Sequence, residues 1–211
     1  GFRNCAEDHK NSSLPRGNVS MDRVVVTGGS GFIGIHLAAA LKKRRYEVSV
    51  LDLTPPSDSS FVYHKGDVRK PETLSPAFRG AKFVFHLAAI PSVLYSLLHP
   101  EETLEANFKG TVNVLNAAKD AGVARVIFAS SSAVYGDQPI PVSETTPCTP
   151  GSPYGEQKLQ SEKACARFAA SEGLCTAALR LFNVYGEGQS PAGGALIPSC
   201  IERAKKGEPL H

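Results

Sequence analysis

The stretch T-G-G-S-G-F-I-G at residues 27–34 decides the fold of this chain. Before it stands R-V-V-V-T at 23–27, a β-branched run typical of a buried strand, and after it a helical pattern extends over about 32–45. The glycines that set its spacing, G-x-x-G-x-x-G, are Gly28, Gly31 and Gly34. Glycine lets the backbone turn tightly and lets a pyrophosphate approach the helix N-terminus. The stretch therefore predicts a dinucleotide site rather than a merely flexible turn.

The second predicted strand, E-V-S-V-L-D at 47–52, ends on an acidic residue. Asp52 stands 18 residues after Gly34, where a carboxylate accepts hydrogen bonds from the ribose hydroxyls of a bound dinucleotide. The same negative charge would repel a 2′-phosphate. The sequence therefore predicts NAD, rather than NADP, as the cofactor.

Further apolar runs alternate with helical patterns along the chain. Strands are predicted at 61–65, 82–87, 124–130 and 175–182, and helices at 100–121 and 153–172. Continuous apolar strands separated by helices indicate a parallel sheet that is covered on both faces. We expect an α/β protein with a doubly wound parallel sheet of the Rossmann type.

The composition is that of a globular protein, with 42% hydrophobic residues, 20% charged residues and a formal net charge of +3. The densest basic run, at 42–45, ends a predicted helix, where cations favour the helix dipole, so nucleic-acid binding is not expected. The most apolar stretch begins at Phe83, is interrupted by His86 and Pro91, and is too short for a membrane span.

The five cysteines are odd in number and scattered, with no C-x-x-C pair. This pattern argues against a disulfide framework and against a zinc site, and no metal is expected. It suits a reducing compartment, so we expect a cytoplasmic location.

Three segments are expected along the chain. Residues 1–20 are polar, lack the apolar core of a signal peptide, and are expected to be a disordered or tag-like extension ahead of Met21. Residues 21–182 are expected to form the dinucleotide-binding domain. Residues 183–211 are expected to be the truncated start of a substrate-binding region.

A tyrosine and a lysine on one predicted helix are candidates for catalysis. S-P-Y-G-E-Q-K at 152–158 places Tyr154 and Lys158 four residues apart, on the same helix face. Alone, such a pair is as easily an accident of a helix surface. Beside a dinucleotide site, a lysine ammonium one turn away and the nicotinamidium charge would together stabilise a phenolate and lower the pKa of Tyr154, which makes Tyr154 a candidate general base.

Taken in order, these motifs resemble the NAD-dependent epimerase/dehydratase family of the extended short-chain dehydrogenase/reductase superfamily. The resemblance covers about residues 22–211. Its landmarks are T-G-G-S-G-F-I-G, G-D-V at 66–68, H-L-A-A at 86–89, N-F-K-G-T at 107–111, S-S-S-A-V-Y-G at 130–136, Y-G-E-Q-K at 154–158 and R-L-F-N-V-Y-G at 180–186.

The resemblance implies a set of cofactor contacts. Phe32 and Ile33 would present backbone amides to the pyrophosphate. Asp67 and Val68 would border the adenine, with Asp67 accepting from its amino group. Asn107 would hydrogen-bond near the active site, although an asparagine in a helix can equally face solvent. The other implied cofactor residues are Leu87, Ala88, Ala89, Phe182, Tyr154 and Lys158.

The resemblance also implies the reacting groups. Ser131 aligns with a catalytic serine or threonine that hydrogen-bonds the reacting oxygen, and Ser130 and Ser132 stand close enough to be alternatives. Tyr154 would remove a proton from the C4 hydroxyl of a nucleotide sugar, whose carbon would give a hydride to NAD and regain it on the other face of the 4-keto sugar. The implied substrate contacts are Ser131, Ser132, Tyr154, Asn183, Leu196 and Ile197.

Two positions distinguish this chain from relatives with other reactions. Family dehydratases carry Asp-Glu after the catalytic threonine, and decarboxylases usually carry a glutamate at the second of these positions, whereas Ser132 and Ala133 stand here. We therefore expect epimerisation at C4 of a UDP-glucose or UDP-galactose type of sugar. The alternatives are an NAD-dependent dehydrogenase or reductase of another alcohol, such as a sterol-type substrate, and a catalytically silent NAD-binding protein.

One departure from the family pattern and two expected partners remain to be stated. After V-Y-G the family usually continues with Pro-Arg, whereas Glu187 and Gly188 stand here, so the local substrate contacts are expected to differ. Family members often dimerise through a four-helix bundle built from helices like those predicted at 100–121 and 153–172. A homodimer and a nucleotide-sugar substrate are therefore the expected partners.

Overall fold

Six strands form a single sheet in a computed structural model that describes residues 21–191 and 195–209. In chain order they are β1 (Arg23–Thr27), β2 (Glu47–Asp52), β3 (Val62–Lys65), β4 (Phe83–His86), β5 (Arg125–Ser131) and β6 (Cys175–Leu181). Their spatial order is β3-β2-β1-β4-β5-β6, and every neighbouring pair is parallel. The prediction of a doubly wound α/β fold is confirmed. The extension expected at residues 1–20 lies outside the described residues.

Seven α-helices connect or follow the strands in the described part of the chain. They are α1 (Phe32–Lys43), α2 (Ser75–Phe78), α3 (Val93–Leu98), α4 (Pro100–Leu104), α5 (Gly110–Asp120), α6 (Pro153–Ser171) and α7 (Leu196–Lys206). The helix predicted at 100–121 consists of α4, a π-helical turn at Glu105–Lys109, and α5. Helices α2, α3 and α7 were not predicted. In α3 most apolar side chains face solvent, so its sequence carries no amphipathic signal.

The core lies on both faces of the sheet. Successive side chains of a strand point to opposite faces, and β1 shows this directly. Val25 packs in one cluster with residues of α2, α5 and α6, while Val24 and Val26 pack in a second cluster with residues of α1. Both faces of the central strand are therefore covered, which explains why its sequence is continuously apolar rather than alternating.

The strand order fixes where a ligand can bind. The chain moves from β1 outward to β2 and β3, then returns to the other side of β1 to form β4, β5 and β6. At such a switch point, the loops after β1 and β4 leave in opposite directions and open a crevice at the carboxyl ends of the strands. Within residues 21–191 and 195–209, every helix is too short or too polar to reach across a lipid bilayer.

Candidate active site

The glycine-rich turn joins β1 to α1 at the carboxyl edge of the sheet. Gly28 has a φ of +69°, and its amide donates to the Leu51 carbonyl at 2.9 Å. A Cβ added to Gly28 would lie 2.7 Å from the Ala88 nitrogen, and a Cβ added to Gly34 would lie 2.6 Å from the Gly29 Cα. Glycine at these positions therefore allows the turn and the start of α1 to pack directly against the sheet.

The N-terminus of α1 has free hydrogen-bond donors. Its N-cap residue is Gly31, which has no side chain to accept from the amides of the first turn. Those amides have no partner within the helix, and they include the amides of Phe32 and Ile33. Unpaired donors and the positive end of the helix dipole together attract a phosphate group.

A cavity of about 1150 Å³ opens beside this turn, across the carboxyl ends of the strands. It exceeds the roughly 300–1,000 Å³ typical of sites for drug-sized ligands, as an extended dinucleotide requires. Nearly all residues predicted to contact cofactor or substrate line it. They are Gly28, Gly31, Phe32, Ile33, Gly34, Asp52, Asp67, Val68, Leu87, Ala88, Ala89, Ser131, Tyr154, Lys158, Phe182, Asn183, Leu196 and Ile197. Asn107 and Ser132 do not line this cavity.

Asp52 faces the glycine turn from the end of β2. Its Oδ2 accepts from the Ser30 amide at 3.0 Å, and its Oδ1 accepts from the Leu53 amide at 2.7 Å. These bonds fix the orientation of the carboxylate at the cavity wall. Oδ1 also accepts from the Thr54 amide at 3.4 Å, whereas Oδ2 keeps a lone pair for a further donor, so the geometry suits the predicted contact with a ribose hydroxyl.

Asp67 is held by a neighbouring cation. Arg69 Nη2 donates to Asp67 Oδ2 at 2.7 Å, and Arg69 Nε donates to Asp67 Oδ1 at 3.0 Å. These hydrogen bonds hold the pKa of Asp67 below its usual value, mainly through the Arg69 side chain. Arg69 also lines the cavity. An adenine amino group would therefore meet a carboxylate that is already paired with a cation. The sequence did not predict Arg69 as the partner of Asp67.

Tyr154 enters the cavity from the first turn of α6. That turn is capped by Ser152, whose hydroxyl accepts from the Gly155 amide at 3.1 Å. The Tyr154 amide donates to the Ser96 hydroxyl on α3 at 3.1 Å, so α3 also positions this turn. Ser131, at the end of β5, lines the same cavity, and its hydroxyl lowers the pKa of the Tyr154 phenol. Chain segments far apart in sequence thus converge on one phenol.

Lys158 lies one turn further along α6, below Tyr154. Its Nζ donates to the Ala129 carbonyl at 2.7 Å and lies 4.8 Å from the centre of the Phe128 ring. It lies 5.8 Å from the centre of the Tyr154 ring, and the residue is 3% exposed. The predicted grouping of Tyr154, Lys158 and Ser131 around one point is therefore present in the structure.

The expected lowering of the pKa of Tyr154, which also depended on the charge of a bound nicotinamide, is not found in the protein alone. Burial raises the pKa of Tyr154 above its usual value, and the hydrogen bond with Ser131 opposes this rise. Burial also lowers the pKa of Lys158 to about 8. The physical reason is that both groups have left water, which destabilises their charged forms. The sequence shows the spacing of the two groups but not their desolvation.

The buried lysine makes stability depend on pH. Above pH 8 the folded chain releases a proton from Lys158 that the unfolded chain retains, so the free energy of unfolding should rise with pH. Relative to Lys158→Met, the wild-type value is expected to increase by up to about 3 kcal/mol toward pH 10. Urea unfolding of both proteins between about pH 8 and pH 10 measures this change in the free energy of unfolding. Lys119→Met, which removes an exposed lysine on α5, should show the same pH dependence as wild type. A difference in unfolding free energy between wild type and Lys158→Met that stays constant with pH would contradict the expectation.

The three consecutive serines at 130–132 have different roles. The Ser131 hydroxyl lowers the pKa of the Tyr154 phenol, and its oxygen accepts from the Ala133 amide at 3.1 Å. The Ser130 hydroxyl instead donates to Glu162 at 2.5 Å. Ser132 begins the short 3-10 turn that follows β5. The geometry thus favours Ser131 among the three hydroxyls that the sequence left open.

Asn107 lies behind the cavity wall rather than in it. It is 1% exposed, so the solvent-facing alternative is excluded. Its Oδ1 accepts from the Ile90 amide at 2.8 Å, and its Nδ2 donates to the Ile90 carbonyl at 3.2 Å and to Gln157 Oε1 at 3.0 Å. Ile90 lines the cavity. Asn107 therefore holds a cavity loop in place, and the direct cofactor contact expected of it is not supported.

A buried histidine beneath the cavity was not assigned a role from the sequence. His86 is 1% exposed, and burial lowers its pKa to about 3, with a further lowering by Lys158. The Thr111 hydroxyl donates to the Asn107 carbonyl at 2.6 Å, so it accepts from His86 Nε2 at 3.0 Å. His86 Nδ1 is then the acceptor for the Thr27 hydroxyl at 2.7 Å. This chain of bonds connects the glycine turn to the π-helical turn.

The model of the NAD-dependent epimerase/dehydratase family matches residues 24–211. UDP-glucose 4-epimerase of Lactobacillus helveticus is 33% identical over 201 residues, which cover 88% of this chain and 61% of that protein. The solved complex of Thermus thermophilus UDP-glucose 4-epimerase with NAD matches with a TM-score of 0.84 at 38% identity, covering 89% of this chain and 64% of the other.

A dehydratase shares the fold as well. The structure of DesIV, a dTDP-glucose 4,6-dehydratase from Streptomyces venezuelae, has a TM-score of 0.81 at 32% identity and covers 89% of this chain and 63% of its own. This chain spans about three-fifths of the length of these relatives. The dependence on NAD in the family description agrees with the cofactor expected from the sequence. The chain belongs to the NAD-dependent epimerase/dehydratase family.

Proposed function

We propose that this chain binds NAD in the large cavity and epimerises a UDP-sugar at C4. The observation that carries the proposal is the convergence of Ser131, Tyr154 and Lys158 on the cavity that the glycine turn and Asp52 also line. Three relatives with similar sequences are named UDP-glucose 4-epimerase, which supports a UDP-sugar as the substrate.

The residues of the cavity fit NAD along its length. The α1 amides would hold the pyrophosphate, and Asp52 would accept from the adenosine ribose. Asp67 would meet the adenine amino group, and Phe182 would pack near the nicotinamide. When bound, NAD supplies the hydride acceptor and a positive charge that stabilises a nearby phenolate.

Tyr154 would accept the proton of the sugar C4 hydroxyl. Ser131, which lines the cavity with Tyr154, would orient the reacting oxygen between the two side chains. The position of Lys158 is fixed because its Nζ donates to the Ala129 carbonyl at 2.7 Å. Its ammonium group therefore stays at the base of the cavity, one helical turn from Tyr154. In this arrangement the protein supplies position and proton transfer.

The side chains that follow Ser131 favour epimerisation over dehydration. Elimination of water from the sugar needs a carboxyl group beside the reacting carbons, and Ser132 and Ala133 provide none. The carboxylate of Glu162 on α6 is occupied by Arg180 and Ser130, and Glu162 does not line the cavity. This supports epimerisation even though a dehydratase is among the structural neighbours.

Two alternatives remain as outcomes of the test. Oxidation of another alcohol, such as a sterol-type substrate, would use the same three residues. A silent NAD-binding protein would not need a serine, a buried phenol and a buried lysine at one cavity, so the presence of Ser131, Tyr154 and Lys158 argues against it.

The test is to incubate the chain with NAD and UDP-glucose, UDP-galactose or their N-acetyl forms. Chromatography should show interconversion of each C4 pair without net loss of oxidised NAD. Net accumulation of reduced nicotinamide, followed by its near-ultraviolet absorbance, would indicate a dehydrogenase. NAD binding without either product would indicate the silent alternative.

Asp52 offers a separate prediction on the choice of cofactor. Asp52→Asn keeps the shape but removes the charge that repels a 2′-phosphate. The affinity for NAD is expected to fall by about tenfold and the preference over NADP to shrink. Calorimetric titration with both dinucleotides measures this. Asp58→Asn, on the exposed loop after β2, is the matched control, and an unchanged preference in Asp52→Asn would contradict the prediction.

The cytoplasmic location and the homodimer stay predictions. Helix α3 lies beside α4 and α6, which include the helices expected to form a bundle, and Leu94 and Leu98 on α3 are each 68% exposed. These exposed leucines are compatible with a helical interface. Light scattering of the purified chain would give its mass in solution.

A further inference from the structure

The chain segment that follows β6, residues 182–190, forms part of one wall of the cavity. Its sequence departs from the family pattern at Glu187 and Gly188. His36 on α1 donates from Nε2 to the Glu187 carbonyl at 2.8 Å. This hydrogen bond ties the segment to the helix whose first amides are expected to hold the pyrophosphate.

A tight turn in this segment places Gln189 at the cavity. Gly188 has a φ of +79°, a backbone conformation that glycine adopts without strain, and the Gln189 amide donates to the Gly186 carbonyl at 3.3 Å. The Gln189 side chain then reaches back toward β6, where its Nε2 donates to the Val184 carbonyl at 3.2 Å. Gln189 lines the cavity, so its amide is held in a defined position at the cavity wall.

The oxygen of the Gln189 amide has no partner. Oε1 is shielded from solvent, and it accepts no hydrogen bond from residues 21–191 or 195–209. The oxygen and nitrogen cannot be exchanged by rotating the amide, because the Val184 carbonyl only accepts and must therefore face the nitrogen. A buried acceptor without a donor is costly and rare in folded proteins. Since Gln189 lines the cavity, a bound ligand can supply the donor that the chain lacks.

The chemistry of this oxygen restricts the ligand group that it can bind. An amide oxygen only accepts hydrogen bonds, and so do the ionised phosphates of a nucleotide, so the partner is a hydroxyl or an N–H group. The donors of the adenosine half of NAD already have Asp52 and Asp67 as expected partners, after β2 and β3. Gln189 instead follows β6, at the other edge of the sheet, between the expected substrate contacts Asn183 and Leu196.

We propose that Gln189 is a substrate-binding residue whose Oε1 accepts a hydrogen bond from a sugar hydroxyl of the bound nucleotide sugar. The identity of the substrate rests on the proposed function. The hydroxyl is not the one at C4, because Tyr154 and Ser131 are the expected partners of that oxygen. It belongs to another carbon of the hexose or to the uridine ribose, and the choice of ligands distinguishes these two rings.

Gln189→Met tests the contact, because methionine keeps the length of the side chain and removes both polar atoms. With NAD bound, the affinity for UDP-glucose is expected to fall by about tenfold, as for the loss of one hydrogen bond. The urea midpoint of the ligand-free chain should change little, since the lost bond to Val184 is offset by the removal of an unpaired acceptor. A purely structural residue would lower both quantities. Calorimetric titration and urea unfolding measure them separately.

Gln138→Met is the matched control. The Nε2 of Gln138 also donates a hydrogen bond, to Thr149 Oγ1 at 2.6 Å, but Gln138 does not line the cavity. The same exchange of side chain should therefore leave the affinity for UDP-glucose at the wild-type value. An equal loss of affinity in Gln138→Met and Gln189→Met would overturn the proposal.

Titration with UDP, which lacks the hexose, identifies the ring that supplies the donor. If the donor is a hexose hydroxyl, Gln189→Met should bind UDP as tightly as wild type does. If the donor is a hydroxyl of the uridine ribose, the affinities for UDP and for UDP-glucose should fall by the same factor.

Deoxy forms of UDP-glucose test the contact in the wild-type protein, so the result does not depend on the folding of a variant. The series contains the 2-deoxy, 3-deoxy and 6-deoxy hexoses and the 2′-deoxy and 3′-deoxy uridine forms. Loss of the hydroxyl that Gln189 binds should weaken binding to wild type by about tenfold, because the buried oxygen is again left unpaired. The same form should bind Gln189→Met no more weakly than UDP-glucose does, since no contact is left to lose.

The outcomes separate this contact from the proposed function. An unchanged affinity for UDP-glucose in Gln189→Met overturns the proposal, even if the chain interconverts UDP-glucose and UDP-galactose. A tenfold loss of affinity for NAD alone would place the donor on the cofactor and would also overturn it. Binding of UDP-glucose that depends on Gln189 without interconversion supports the contact and counts against epimerisation. Failure of the NAD-loaded wild type to bind UDP-glucose would overturn both.

Discussion

Tyr154→Phe should lower the rate of sugar interconversion by about 10²–10⁴-fold, the usual contribution of a positioned general base. Phenylalanine keeps the ring of Tyr154, a residue that is 9% exposed at the start of α6, and removes only the phenol hydroxyl. NAD affinity and the free energy of unfolding should therefore change little. Turnover of UDP-galactose and calorimetric titration with NAD measure the two effects separately.

The pH dependence of the wild-type rate checks the same assignment. Because burial raises the pKa of Tyr154, the phenol is the main form at neutral pH, and the rate should climb about tenfold per pH unit below the midpoint. Tyr46→Phe is the matched control, since Tyr46 packs on Phe83 at the opposite edge of the sheet. Turnover by Tyr154→Phe at the wild-type rate would place the base elsewhere.

Gly34→Ala should disrupt both the fold and the cofactor site. Its Cβ would lie 2.6 Å from the Gly29 Cα and closer still to the Gly28 carbonyl oxygen, so backbone rather than a flexible side chain must move. Overpacking of this kind costs about 1–3 kcal/mol of unfolding free energy. The movement would also displace the α1 amides, so NAD affinity should fall by about tenfold or more.

The same substitution at two other glycines should have smaller effects on stability and NAD affinity. A Cβ on Gly31 would meet only the Gly28 oxygen, at 3.3 Å, and a Cβ on Gly151 would meet nothing within 4 Å. Gly31→Ala should therefore be intermediate, and Gly151→Ala should behave as wild type. Urea unfolding and NAD titration of the three variants give the order, and equal behaviour of Gly34→Ala and Gly151→Ala would contradict the packing argument.

Much of the fold could be read from local patterns. The β-branched runs predicted all six strands, and the glycine spacing placed the turn between β1 and α1. The short helix α3 was not predicted because Leu94, Leu97 and Leu98 face solvent, so the periodicity that identifies a helix is absent. The π-helical turn at Glu105–Lys109 was not predicted because the sequence pattern of α4 and α5 indicates one continuous helix.

The sequence by itself determined the strand order along the chain, the glycine turn and the four-residue spacing of Tyr154 and Lys158, because periodicity and spacing are local properties. Only the tertiary structure decided which of the three serine hydroxyls binds Glu162, since Ser130, Glu162 and Arg180 come from distant segments. It also decided the pKa of Tyr154, because desolvation depends on everything that packs around a side chain. Charge and contact between remote residues exist only once the chain has folded.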